Sequence, residues 1–241
     1  MTTGIIILGI VAVLLFFGAA ERYFDRLGMT SWLTFLIVLA LIIGAVMPEV
    51  RTGNFVMTIG GFAVPAVVFV LLTVFAAREG NILRTLLALT AQAAVCVALR
   101  AIIGTGDTGA VTAFFLLAGF LGGSISYAVA GTRLGAAAAV FGGSIVGDII
   151  SMGLMRNIIG QGIFTMGGYG IFNAMIIGCT TALVFAEIVY AVRRSIQNKR
   201  MAERRLSAEA AEDAGLSYVN SEHITADSSQ EKDADDLYGG D

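Results

Sequence analysis

The chain has 241 residues, 57% of them hydrophobic and only 14% charged, with thirty glycines, two prolines and a mean hydropathy of +0.84. A soluble domain averages about 25% charged residues, whereas here apolar runs of roughly twenty residues recur, the length at which a helix crosses a bilayer. These figures exclude a soluble enzyme, a secreted disulfide scaffold and a nucleic-acid-binding domain. The scarcity of proline and the wealth of glycine and alanine favour an all-α membrane bundle over a barrel of short alternating strands.

The formal net charge of −3 hides an uneven division. Residues 1–206 hold 14 Lys and Arg against 8 Asp and Glu, while residues 207–241 hold one Lys against 10 Asp and Glu. The cations gather at one end of the helices, which is not the footprint of a nucleic-acid surface. Cys96 and Cys179 fall mid-span and read as packing residues, with no disulfide or metal spacing.

Seven apolar segments follow in order, at about 4–20, 31–47, 54–77, 82–103, 110–130, 134–155 and 171–192. Gly18-Ala19-Ala20 resembles a signal-peptidase site, but the stretch before it lacks the positive charge of a signal peptide, so segment one is taken as a span. Alternate connections differ in cations. One set carries Arg22, Arg26, Arg78, Arg84, Arg133, Arg193, Arg194, Lys199, Arg200, Arg204 and Arg205, and the other only Arg51, Arg100 and Arg156. The richer set belongs in the cytoplasm, which places the N-terminus outside and the C-terminus inside a cell membrane. Residues 1–192 are then a transmembrane domain and 193–206 a basic helix at anionic lipid headgroups. Residues 207–241, rich in Asp, Glu, Ser and Ala, are expected to be a disordered acidic tail in which His223 has no partner.

Two stretches are alike. Thr58-Ile-Gly-Gly61-Phe-Ala-Val and Thr165-Met-Gly-Gly168-Tyr-Gly-Ile each lead into a span, and four spans separate them. An even separation implies a parallel repeat, arranged as three spans, a linking span and three spans. Pro65 cannot donate to the Gly61 carbonyl, so the third span should be broken between Gly61 and Pro65. Such breaks in a membrane need cover from protein or a wet cavity. The segment Gly160–Gly170 reads as a glycine-rich turn or a loop entering the membrane.

Ionisable groups within spans cost roughly 2.5–3.5 kcal/mol each on insertion scales, and so mark candidate sites. Ser144, Asp148 and Ser151 share one helical face, as do Gln92, Cys96 and Arg100, and Asn173, Thr180 and Glu187. These stripes must face one another. Arg100 and Asp148 are expected to pair, and Glu187 to pair with Arg84 or Arg194 as a second polar cluster. Gly119-xxx-Gly123 and Gly143-xxx-Gly147 allow close helix approach. Gly147-Asp148 is similar to part of the Gly-x-Gly-Asp motif of intramembrane aspartyl proteases. Ile145 replaces its first glycine, however, and no second membrane-embedded aspartate is at hand. No His faces the membrane and no span carries a Lys, so neither an enzyme nor a bound cofactor or metal is expected.

The segments Gly143-Ser-Ile-Val-Gly-Asp148-Ile-Ile and Met166-Gly-Gly-Tyr-Gly-Ile-Phe-Asn173, with Asp25-Arg-Leu-Gly28 and Thr58-Ile-Gly-Gly61…Pro65, resemble a prokaryotic multi-pass membrane family called domain of unknown function 1614. The resemblance covers about residues 20–190. It implies an acidic position at Asp148, while Asn173 stands where that family has a second acid. The resemblance carries no established activity.

The sequence thus points to an integral membrane protein moving a small solute or ion through a site formed by Asp148, Arg100, Gln92, Asn173, Gly61 and Pro65. The alternative is a non-enzymatic membrane subunit or scaffold whose acidic tail recruits a cytoplasmic protein; assembly with further copies of the chain fits either. The cation asymmetry predicts that topology reporters fused after residues 28 and 206 report the cytoplasm and one fused after residue 50 the outside. A cytoplasmic signal at 50 defeats the seven-span arrangement.

Overall fold

The computed structural model describes residues 2–16, 31–53, 55–104, 108–159, 164–168 and 170–235. In chain order these form α1 (Thr2–Phe16), α2 (Ser31–Val46), β1 (Glu49–Thr52), β2 (Phe55–Thr58), a π-helical turn (Ile59–Ala63), α3 (Val64–Arg78), α4 (Ile82–Ile103), α5 (Thr108–Ala130), α6 (Arg133–Ile159), β3 (Phe164–Met166) and α7 (Ile171–Asp235). The Gly18-Ala19-Ala20 stretch, Asp25–Gly28 and Gly160–Gly162 lie outside the described residues. Residues 1–188 form one compact unit and residues 189–241 another.

Each apolar run becomes a helix because it is built of good helix formers with no interior proline past the first turn. Among the described residues five helices are long and apolar enough to cross a membrane: Ile59–Arg78, Ile82–Ile103, Thr108–Ala130, Arg133–Leu154 and Ile171–Arg204. Trp32–Val46 is apolar but shorter. Large side chains such as Val67, Leu83 and Ile102 stand exposed on the outer faces. Water would penalise such surface, whereas lipid would not.

The centre of the bundle is α6. Its apolar window is 72% buried, against 28–44% for the other four. Residues Ala136–Ala139 and the glycines after them give it a slim profile. A Cβ on Gly143 would lie 2.6 Å from the Leu89 carbonyl oxygen, and one on Gly147 would lie 2.7 Å from the Cys96 Cβ. Glycine therefore lets α6 lie directly on α4, as small residues do between membrane helices. The Gly119-xxx-Gly123 pair serves α5 and α7 in the same way. There a Cβ on Gly119 would press on Ile177 and one on Gly123 would overlap the Gly178 carbonyl oxygen.

The structure corrects the all-α expectation at one place. A three-stranded sheet in the order β1-β2-β3 occupies one end of the bundle, with β1 antiparallel to β2 and β2 parallel to β3. What the hydropathy of segment 54–77 presents as the start of a span is instead strand β2. Its Phe-Val-Met-Thr suits a pleated surface better than a helix. The second glycine stretch pairs with the residues just before the first, Val56 opposite Thr165 and Met57 opposite Met166, and Thr58 then bonds the Met166 carbonyl. Their conformations then diverge. The first winds into the π-helical turn, in which Val64 N–H bonds the Ile59 carbonyl, and Pro65 falls in the first turn of α3, where no donor is missed. The second turns sharply at Gly167 (φ 74°) before α7 begins.

The helical backbone of α7 runs on to Asp235, through residues that composition marks for disorder. Its Ala- and Glu-rich start (Ser207-Ala-Glu-Ala-Ala-Glu) extends a helix already nucleated, so only propagation is needed.

Gly61 and Gly167 touch backbone to backbone. A Cβ on Gly61 would overlap the Gly167 carbonyl oxygen, and one on Gly167 would lie 2.8 Å from the Phe62 nitrogen. Gly61→Ala should destabilise the purified protein by about 1–3 kcal/mol, the usual effect of forced overpacking. The measurement is its melting temperature beside that of Gly153→Ala, where a Cβ meets nothing within 4 Å. Equal melts would mean that the two backbones separate readily.

Candidate functional site

The glycines of α6 bring two polar stripes together. Gln92, Cys96 and Arg100 line the buried face of α4, and Ser144, Asp148 and Ser151 the facing side of α6; all six are buried. Arg100 is in the last turn of α4, and its side chain reaches Asp148, where Nη1 donates to Oδ1 at 2.5 Å. Both side chains are only 1% exposed. The expected Arg100–Asp148 pair is therefore present.

Asp148 is held a second time. Its Oδ2 accepts the Gly167 N–H at 2.8 Å. That N–H is presented by the turn after β3, which Thr58 fixes by donating its hydroxyl to the Met166 carbonyl at 3.1 Å. The carboxylate thus ties α6 both to α4 and to the sheet. On the other side, the Arg100 guanidinium carbon lies 4.7 Å from the centre of the Phe114 ring of α5, a cation–π contact with a buried aromatic. Among the described residues nothing hydrogen-bonds Arg100 Nε or Nη2.

A turn further into the bundle, Gln92 joins three helices. Its Nε2 donates to Ser144 Oγ at 3.1 Å, and its Oε1 accepts from Ser126 Oγ of α5 at 3.4 Å. Gly122 is what leaves room, since a Cβ there would overlap the Gln92 amide. Cys96 lies 3.6 Å from Gln92 Nε2. Ser151, by contrast, is satisfied by its own helix, donating to the Gly147 carbonyl at 2.6 Å.

The remaining sequence-derived residues divide. Gly61 adjoins the site through Gly167, whose N–H holds Asp148. Asn173 is buried in the first turn of α7, and Pro65 is buried in the first turn of α3. The second cluster needs correction. Glu187 accepts from Arg133 Nη2 at the start of α6, and Arg84 is exposed. Arg133 has the advantage because the central helix α6 presents its first residue to the bundle, whereas Arg84 follows the exposed Leu83 on an outer face of α4. Sequence reasoning missed Gly167 N–H, Thr58, Phe114 and Ser126. The Thr-x-Gly-Gly likeness did mark the two contacting stretches, though as a repeat and not as a contact.

A buried ion pair returns little net stability, but breaking it leaves a bare charge at about 3–5 kcal/mol. Arg100→Ala and Asp148→Ala should each destabilise on that scale, and the double variant should recover part of the sum. Thermal or chemical melts of the four proteins measure the coupling, and strict additivity would mean that the side chains do not interact. No family model, curated protein or solved structure matches the chain.

Proposed function

We propose that this is an integral membrane protein that passes a small solute or ion, with the Arg100–Asp148 pair as its binding site and Gln92, Asn173, Gly61 and Pro65 around it. In this reading all seven apolar helices span the cell membrane in a three-one-three arrangement, the N-terminus lies outside, and the basic run 193–206 rests on anionic headgroups. The observation that carries the reading is a guanidinium shut inside an apolar bundle with two of its three nitrogens unbonded among the described residues. A pair kept only to fasten helices would satisfy its donors, because each unmet one is costly where water is absent. The π-helical turn and the strand–turn beside Asp148 add support. Non-helical backbone at membrane depth is tolerated where protein or a wet cavity covers it, and π-turns are frequent at functional sites.

The test is flux in reconstituted vesicles loaded with a panel of inorganic ions and small metabolites. Wild type should move at least one of them. Arg100→Gln with Asp148→Asn, which removes both charges while keeping polar, unbranched side chains at both positions, should melt closer to wild type than either single variant and move none. Equal flux from wild type and the double variant would remove the pair from function.

A further inference from the structure

A guanidinium carries five N–H donors in a plane. Asp148 engages Nη1 of Arg100, and the Phe114 ring covers one face. The edge formed by Nε and Nη2 is left, with two N–H bonds running parallel. Both atoms are buried and unpartnered among the described residues. The omission is local, since the neighbouring buried groups of Gln92, Ser126, Ser144, Asp148 and Thr58 all hold hydrogen bonds. Two parallel donors on a fixed cation match the two oxygens of a carboxylate or a phosphate, the fork that distinguishes arginine from a point charge such as lysine.

We propose that the Nε–Nη2 edge of Arg100 is a binding site for the two-oxygen anionic group of a solute, a carboxylate or a phosphate. The inference deepens the binding-site reading of the Arg100–Asp148 pair and rests on it. Asp148 and the ligand share one cation, so Asp148 weakens the ligand's hold and keeps release easy. Gly167 N–H offsets this by drawing charge from the other oxygen of Asp148. The first turn of α7 follows Gly167 and adds the partial positive charge of a helix start at this end of the bundle. Because the edge is closed off, the ligand enters only when elements around it part. The turn at Gly167 is held by the Asp148 and Thr58 hydrogen bonds, by the β2–β3 pairing before it and by the Ile171 N–H on the Gly168 carbonyl.

The experiment uses the full chain, purified in detergent and in nanodiscs of zwitterionic or anionic lipid. Melting temperature is followed as sodium acetate or inorganic phosphate replaces chloride at constant ionic strength. The wild type should show a saturable rise over chloride. Arg100→Lys should need roughly tenfold more acetate or phosphate, because an ammonium offers no parallel edge. Asp148→Asn should need less of either, since the competing carboxylate is gone. A rise seen only in anionic-lipid nanodiscs, and lost in Arg100→Lys, would identify the two-oxygen group as a lipid phosphate. No rise in the wild type overturns the proposal, as does an equal rise in wild type and Arg100→Lys. Should Arg100→Lys fail to fold, Asp148→Asn decides: a folded variant without response puts the ligand on the carboxylate and overturns the assignment to arginine. Pair-dependent flux of a cation or neutral solute by a protein indifferent to acetate and phosphate would sink this proposal and leave transport standing. Acetate or phosphate binding without any flux would do the reverse.

Discussion

A carboxylate withdrawn from water must have each of its oxygens occupied, or its burial costs more than the fold can return. Asp148 meets this demand with two partners of different kinds. One is a side chain on the adjacent helix, and the other is a backbone N–H from a turn that belongs to the sheet. The arrangement around it follows. Arg100 must come from the last turn of α4, the turn at Gly167 must reach into the bundle, and Thr58 must hold that turn from β2. A side-chain donor alone would have left these elements free to slide.

Glycine sets the distances that make this geometry available. A pair of polar side chains meets across two helices only if the axes lie close. Gly143 and Gly147 remove the Cβ atoms that would hold α6 away from α4. Gly122 opens the notch filled by the Gln92 amide, and Gly61 accepts the Gly167 carbonyl against its own backbone. In a soluble protein the hydrophobic effect would press such surfaces together. Between helices solvated by lipid that drive is absent, and fit and hydrogen bonding take its place. The same glycines that lower helix propensity therefore supply much of the packing.

What could be read from the sequence follows from which signals are local. The apolar runs, the stripes Gln92-Cys96-Arg100 and Ser144-Asp148-Ser151 and the small-xxx-small pairs are properties of single helices and are present in the structure. The stripe Asn173-Thr180-Glu187 does not hold together, because Thr180 is exposed and donates to the Ile176 carbonyl of its own helix. The Arg100–Asp148 contact was legible because both residues sit on buried faces toward the same end of two helices that run parallel, with α5 returning between them. The sheet was not. Strand β2 lies inside an apolar run, and its parallel partner β3 is a three-residue strand far along the chain. The partner of Glu187 was not legible either, because Arg84, Arg133 and Arg194 share one end of the spans and only burial ranks them. The second hold on Asp148 is a backbone N–H, and a backbone donor leaves no mark in a residue pattern.

The separation between the strands also has a bearing on how the molecule is assembled. Thr58 and the Met166 carbonyl it bonds are 108 residues apart, and four helices are made between them. Neighbouring helices can associate as each leaves the ribosome, but β2 has no β3 to pair with until α6 has been synthesised. Contacts of such long range are costly to close and form late. The Gly167 N–H, 19 residues beyond Asp148, is made only after α6, and its turn is fastened to Thr58 only once β2 and β3 have paired; until then a carboxylate already committed to the interior lacks a fixed second partner. A chain stalled or truncated before residue 164 would carry that defect permanently, which gives the cell a polar flaw by which an unfinished copy can be told from a finished one.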